Sequence, residues 1–294
     1  MDKQWRDATT KAVLYPTEVK TSLLNIDSRF RDKPQSTSSS DFLIRLPRTY
    51  KNVITLRMSS IELPNTWYTF SKEHKTTSFY VNDIYIEIPD GNYTVDGGVS
   101  GSVFTDIVQE ALNTAITGES FTVFLDPVSS KIVIENDGGN DFTMDFGNDT
   151  GFTPYSNGIG YLMGFTSSSY SGQSVYVSEY VLNTNGDNYV FLQLLDIEDC
   201  LESFSYGNAS IKAFAKIIVD VNKNMLNYDN GSNTVSKEAK FPQPTNISTF
   251  RVRIVDAYGQ TINLMADFSF TLEIQEVLSS KVYEAYRNNL IADC

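Results

Sequence analysis

Residues 53–70, VITLRMSSIELPNTWYTF, carry a long alternation of apolar and polar positions. The part from Val53 to Leu63 contains neither Gly nor Pro and is rich in branched and long apolar side chains. It predicts a β-strand that stops at Pro64, a residue unable to donate to a ladder. Ile54, Leu56 and Met58 share one face, whereas Ile61 and Leu63 share the other. The buried phase therefore changes at Ser59 and Ser60, which predicts a bulge or a passage from one packed sheet to another.

Similar patterns flank this stretch. Residues 19–26 predict a short strand, and Phe42, Ile44 and Leu46 alternate as another, closed by Pro47. Residues 79–81 and 84–88 flank Asn82-Asp83 as a tight hairpin, and Asp90-Gly91 marks a turn. Residues 103–116 differ: Phe104, Ile107, Val108, Ala111, Leu112, Ala115 and Ile116 recur at helical spacing, with Ser102 as N-cap and Gly118 beyond the end. Strands follow at 121–125, 132–135 and 142–146, and IGYLMGF closes the region. The β pattern resumes near Val175 and continues through 189–195, 213–221, 249–255 and 267–274. In the last of these Phe268, Phe270, Leu272 and Ile274 face one way and Ser269, Thr271 and Glu273 the other. Finally, Leu278, Val282, Tyr286 and Leu290 at four-residue spacing predict a short C-terminal helix.

These elements predict a mainly β fold: a single jelly-roll sandwich of roughly eight strands with a small inserted α+β domain and a short C-terminal helix. The expected divisions are a polar arm at 1–16, jelly roll at 17–76, insert at 77–168, jelly roll again at 169–275, and helix and tail at 276–294.

Charge adds an asymmetry. The net charge is −13, yet residues 1–75 hold 13 Lys/Arg against 8 Asp/Glu while the remainder hold 10 against 28. A modestly basic segment without a dense Lys/Arg run favours an acidic protein neighbour over nucleic acid. Two cysteines, Cys200 and Cys294, make no disulfide framework, and no apolar run approaches the length of a membrane span.

Candidate chemistry is sparse. Arg29 and Arg31 lie two apart between Asp27 and Asp32, which in extended chain puts both guanidinium groups on one side, facing carboxylates. Asp149-Thr150-Gly151 spells an aspartic-protease triplet but sits in a polar loop. Asn227, Asp229, Gly231, Asn233 and Glu238 loosely match a calcium loop with its Gly misplaced. Neither is assigned a role, and no catalytic, cofactor or metal residue is expected. Trp67, Tyr68, Tyr283 and Tyr286 are the aromatic candidates for an interface.

Four segments in order, LNIDSRFRD, NVITLRMSSIELPNTWYTF, IPDGNYT and RIVDAYGQ followed by DFSFTLEI, resemble landmarks of minor capsid and penton-type proteins of nucleocytoplasmic large DNA viruses of algae and amoebae. The resemblance implies a structural, non-enzymatic virion protein, assembled in the host cytoplasm. It would contact the major capsid protein and other minor capsid proteins, and as a penton it would be a homo-oligomer, a pentamer. An alternative reading is a virion-surface module that binds host glycans through Tyr-rich loops between Tyr155 and Tyr170.

Overall fold

The computed structural model describes residues 19–95, 102–147, 158–200, 203–206, 209–230 and 238–278. They form two compact units: a body from the outer stretches, which meet the insert at Thr66 and Asn188, and an insert, Trp67–Asp187. The body opens with β1 (Val19–Asp27) and β2 (Asp41–Pro64). The insert holds β3 (Ser78–Val81), β4 (Ile84–Glu87), α1 (Phe104–Ala115), β5 (Phe121–Leu125), β6 (Lys131–Asn136), β7 (Phe142–Asp145), α2 (Ile159–Leu162), β8 (Ser169–Gln173) and β9 (Val175–Val181). The body resumes with β10 (Tyr189–Leu194), β11 (Ser203–Tyr206), β12 (Ala209–Lys212), β13 (Ala215–Ile218), β14 (Leu226–Asp229), β15 (Glu238–Val255) and β16 (Ser269–Val277). The fold is mainly β, and every ladder between these strands is antiparallel.

In the body one hydrogen-bonded path runs β1-β16-β2-β15-β10-β13, with β14 also on β2. The path is continuous because β2 belongs to both halves of it. Its second part lies between β16 on one edge and β14 and the start of β15 on the other; its first part pairs with the end of β15, which passes on to β10. Read along β2, β14 and β15 follow one another on the same edge, so these two strands and β2 make one long two-stranded ribbon.

The ribbon bends at irregularities that absorb its awkward residues. Ser60 pairs with Thr271 and Met58 with Leu272, so Ser59 is the extra residue of a bulge. The apolar phase accordingly passes from Leu56 and Met58 to Ile61 and Leu63, all four buried. Ile54 departs from the expected face: Val53 is buried in its place, because Ile54 is skipped by β16 and stands opposite the arc Phe241-Pro242-Gln243-Pro244 of β15. Pro47 likewise does not close the strand. It lies in an arc where β2 takes 46–49 against one residue of β15, a bulge being where a strand tolerates proline.

The insert is wider than 77–168. Phe70 stacks on Phe104 with ring centroids 4.6 Å apart, and β8 and β9, both within the stretch 169–275 expected in the body, pair with β7 and β6. Two sheets, β4-β3-β7-β8 and β5-β6-β9, share one apolar core with α1. The hairpin turn is as expected, Asn82 and Asp83 both taking positive φ as a type I′ turn requires. The N-cap of α1 is Val103 instead of Ser102, and it makes no side-chain cap bond. The helix covers the free edge of β5 chemically: Asn113 exchanges hydrogen bonds with the Phe121 backbone, and the Gln109 carbonyl accepts from Val123 N–H. The expected arm at 1–16 lies outside the described residues, as does the expected C-terminal helix beyond residue 278; Glu276 and Val277 belong to β16.

Candidate functional site

The segment after β1 shows how the body spends its charge. Asp27 ends the strand and its carboxylate accepts from the Arg29 backbone N–H at 2.9 Å and from Arg29 Nε and Nη2 at 3.0 and 2.5 Å. These bonds hold the Asp27 carboxyl below the ordinary carboxylate range, against the opposing effect of burial. The chain here is a 3-10 turn over Ser28–Phe30, not the extended segment expected, so the two guanidinium groups part. Arg31 turns inward: it donates to Ser28 O (2.6 Å), Thr37 O (3.2 Å), Pro34 O (3.0 Å) and Asp267 Oδ1 (2.7 Å). Ser28 completes this latch, its hydroxyl donating to Asp267 at 2.6 Å and accepting from Phe268 N–H. Arg31 thus joins the two ends of the chain's fold, while Arg29 and the Phe30 ring beside it remain on the outside.

A second latch was not foreseen. At the Pro47 arc, Arg48 forks onto Glu276 of β16 (2.8 and 2.5 Å), reaches Ser22 of β1 at 3.3 Å, and lies 3.9 Å over the Tyr50 ring. Lys51 N–H gives Glu276 a third bond at 3.0 Å. The signal available in the sequence was phase: Glu276 continues the inward series Phe270, Leu272, Ile274, and a carboxylate in that series needs a partner. Arg48 is the chief cause that lowers the Glu276 pKa, assisted by Lys51 N–H, whereas burial opposes it. A depressed folded-state pKa contributes stability above the unfolded value, about 4.3 for Glu, that is lost as pH falls through the lower folded value. Thermal melts should therefore fall off below about pH 4.3, and Glu276→Gln should flatten that limb while lowering stability at neutral pH. Parallel limbs in the two proteins would exclude Glu276 as a source of the acid sensitivity.

The aromatic candidates divide. Trp67 is buried and its carbonyl accepts from Asn92 Nδ2, so it anchors the start of the insert, whereas Tyr68 is half exposed. Tyr283 and Tyr286 lie outside the described residues. Tyr170, expected on a glycan-binding loop, is tied internally: its hydroxyl accepts from the backbones of Thr166 and Ser167 and donates to Glu179, and its ring packs on Phe146, Phe165 and Tyr176. Tyr155 and the Asp149-Thr150-Gly151 triplet lie outside the described residues. Asn227 is engaged internally, its buried amide donating to Ile218 O and its oxygen accepting from Asp220 N–H; Gly231 and Asn233 lie outside the described residues. Among the described residues no three His, Cys, Asp or Glu side chains are grouped to hold a metal.

The insert exposes an apolar sheet face. Cross-strand partners Phe124, Val133 and Val177 form one row on the outer side of β5-β6-β9, with Val175 and Val181 in the rows beside it. Phe124, Val175, Val177 and Val181 are exposed. Glu135 stands in the Val175 row, and Asp137 beside it accepts from Ser120 and Thr122, which keep its pKa low. The insert as a whole carries 3 Lys/Arg against 16 Asp/Glu, and the body 20 of each, so the −13 of the chain resides in the insert.

No family model matches the chain, and no curated protein does. It is similar to a crystal structure of the selenomethionine-labelled penton protein of mavirus, with a TM-score of 0.43 and 11% identity over 88% of this chain and 100% of that one.

Proposed function

We propose that this chain is a structural virion protein, a capsid penton or a minor capsid protein that cements major-capsid assemblies and contacts the major capsid protein. One observation supports the reading above others. Three of the four segments that carry the resemblance, far apart in sequence, are joined in space: the first supplies the end of β1 and the turn after it, the second begins with the crossing half of β2, and the last ends in β16, which lies between them. The Arg31–Asp267 latch ties the first to the last at 2.7 Å. Most of the resemblance thus falls on one connected piece of the body, with IPDGNYT in the insert, and the role that follows is geometric: a β body fills a position in a shell while exposed faces meet neighbours.

Quantitative mass spectrometry of purified particles tests this. A penton gives one ring of five per fivefold vertex, and a cement protein many copies under the facets. Absence from particles at both levels overturns the proposal.

A further inference from the structure

Two exposed features complement each other in shape of chemistry, and they lie on different units. On the body, the turn Ser28–Phe30 presents the Phe30 ring, 74% exposed, beside Arg29, with Lys33 and Arg45 exposed nearby in chain and in contact through Asp32. Arg29 is bound to Asp27 through one side of its guanidinium, and its side chain is still 68% exposed. On the insert, Phe124 and Val177, the latter 50% exposed, flank the buried Val133 in one apolar row, bordered by Glu135 and Asp137 on one side and by Lys131 beside Val181 on the other, on a unit of net charge −13. Large apolar side chains left on a surface with a charged border mark contact sites.

We infer that the apolar strip of β5-β6-β9 receives the Arg29–Phe30 turn of a second copy of this chain. Phe30 lies on the Phe124–Val133–Val177 row, and Arg29 meets Glu135. The occupant is a second copy, not a second insert, because two inserts of net charge −13 repel each other, whereas the turn brings the exposed Phe30 ring with Arg29 and Lys33 to a strip whose border carries Glu135 and Asp137 against Lys131. The contact is heterologous: each copy offers a different surface to each neighbour, so association continues beyond a pair until a ring closes or a filament forms. The inference specifies how self-association in the proposed capsid role is made, yet it does not depend on that role.

The test is a mixing experiment on purified full-length protein by sedimentation velocity, which reads self-association apart from any particle. Wild type is expected to associate at low ionic strength and dissociate as salt is added. Phe30→Asp and Val177→Asp, both at exposed positions, should each weaken association by roughly tenfold or more. Mixed together they should recover a dimer and go no further, since the intact strip of the first accepts the intact turn of the second. Should either variant fold poorly in thermal melts, the charge pair Arg29→Glu and Glu135→Lys replaces it: each alone associates less, and the two together in one chain regain association. A wild type that stays monomeric, variants that associate like wild type, or a mixture that stays monomeric overturns the inference and assigns the strip to a different protein.

Discussion

Gly164→Ala should lower the stability of the insert by roughly 3–5 kcal/mol, combining a left-handed backbone that L residues resist with an overpacked contact. Gly164 follows α2 at φ +88°, its N–H bonded to Tyr161 O and its carbonyl accepting from Tyr180 N–H at 2.8 Å. A Cβ there would stand 2.2 Å from the Tyr180 carbonyl oxygen and 2.7 Å from its carbon. Those are backbone atoms of β9, so relief requires moving a strand, not rotating a side chain. Gly118→Ala separates the two effects: its φ is +97° but nothing lies within 4 Å of the added carbon. The expected cost there is only the conformational part, about 1 kcal/mol. Thermal melts of the two variants, read against wild type, decide the matter; equal shifts would show that the Tyr180 contact is not rigid.

Phe270→Ala is the second large effect, about 3–5 kcal/mol for a fully buried aromatic whose cavity cannot collapse. Phe270 sits in the middle strand of β1-β16-β2, between Ile26 and Ile61, all with essentially no exposure, and its ring lies 6.0 Å from that of Phe268. The loss falls on the sheet that unites the two ends of the body, so the melting temperature of the body should drop by roughly 2–4 °C for each kcal/mol. Thr271→Ala, one residue on and on the other face, should stay within about 1 kcal/mol. A Thr271 variant as damaging as the Phe270 variant would mean that the faces are assigned wrongly.

These two positions also mark what a sequence shows and what it hides. The inward phase of Phe268, Phe270, Leu272 and Ile274 is legible because alternation on a half-buried strand is a local property. The helix 104–115 and the Asn82-Asp83 turn are legible for the same reason. So is the change of phase at Ser59, since a bulge leaves its mark in the spacing of neighbouring residues. Ile54 was misread because a second bulge follows only five residues before the first, and two shifts in one strand cannot be separated without the partner's register. β9 alternates as well in one unit as in another, and β8, SYSGQ, carries no alternation; which sheet each joins is decided by pairing with β6 and β7, not by anything in their own residues. Gly164 and Arg31 were opaque for a plainer reason. What makes each of them matter is a group brought close only by folding, the Tyr180 carbonyl in one case and the Asp267 carboxylate in the other. The apolar strip on the insert was equally hidden, because Phe124 and Val177 read as core until the sheet's faces are known.

The ribbon has a consequence for the order of events in synthesis. β1 and β2 are synthesised before the insert, yet the strands that pair with them, β15 and β16, are synthesised after it. Until then both early strands carry open edges, the state most exposed to mispairing with other nascent chains. The insert has no such wait, since Trp67–Asp187 is continuous and holds its own core. It is expected to form co-translationally, before the partners of β1 and β2 have been made.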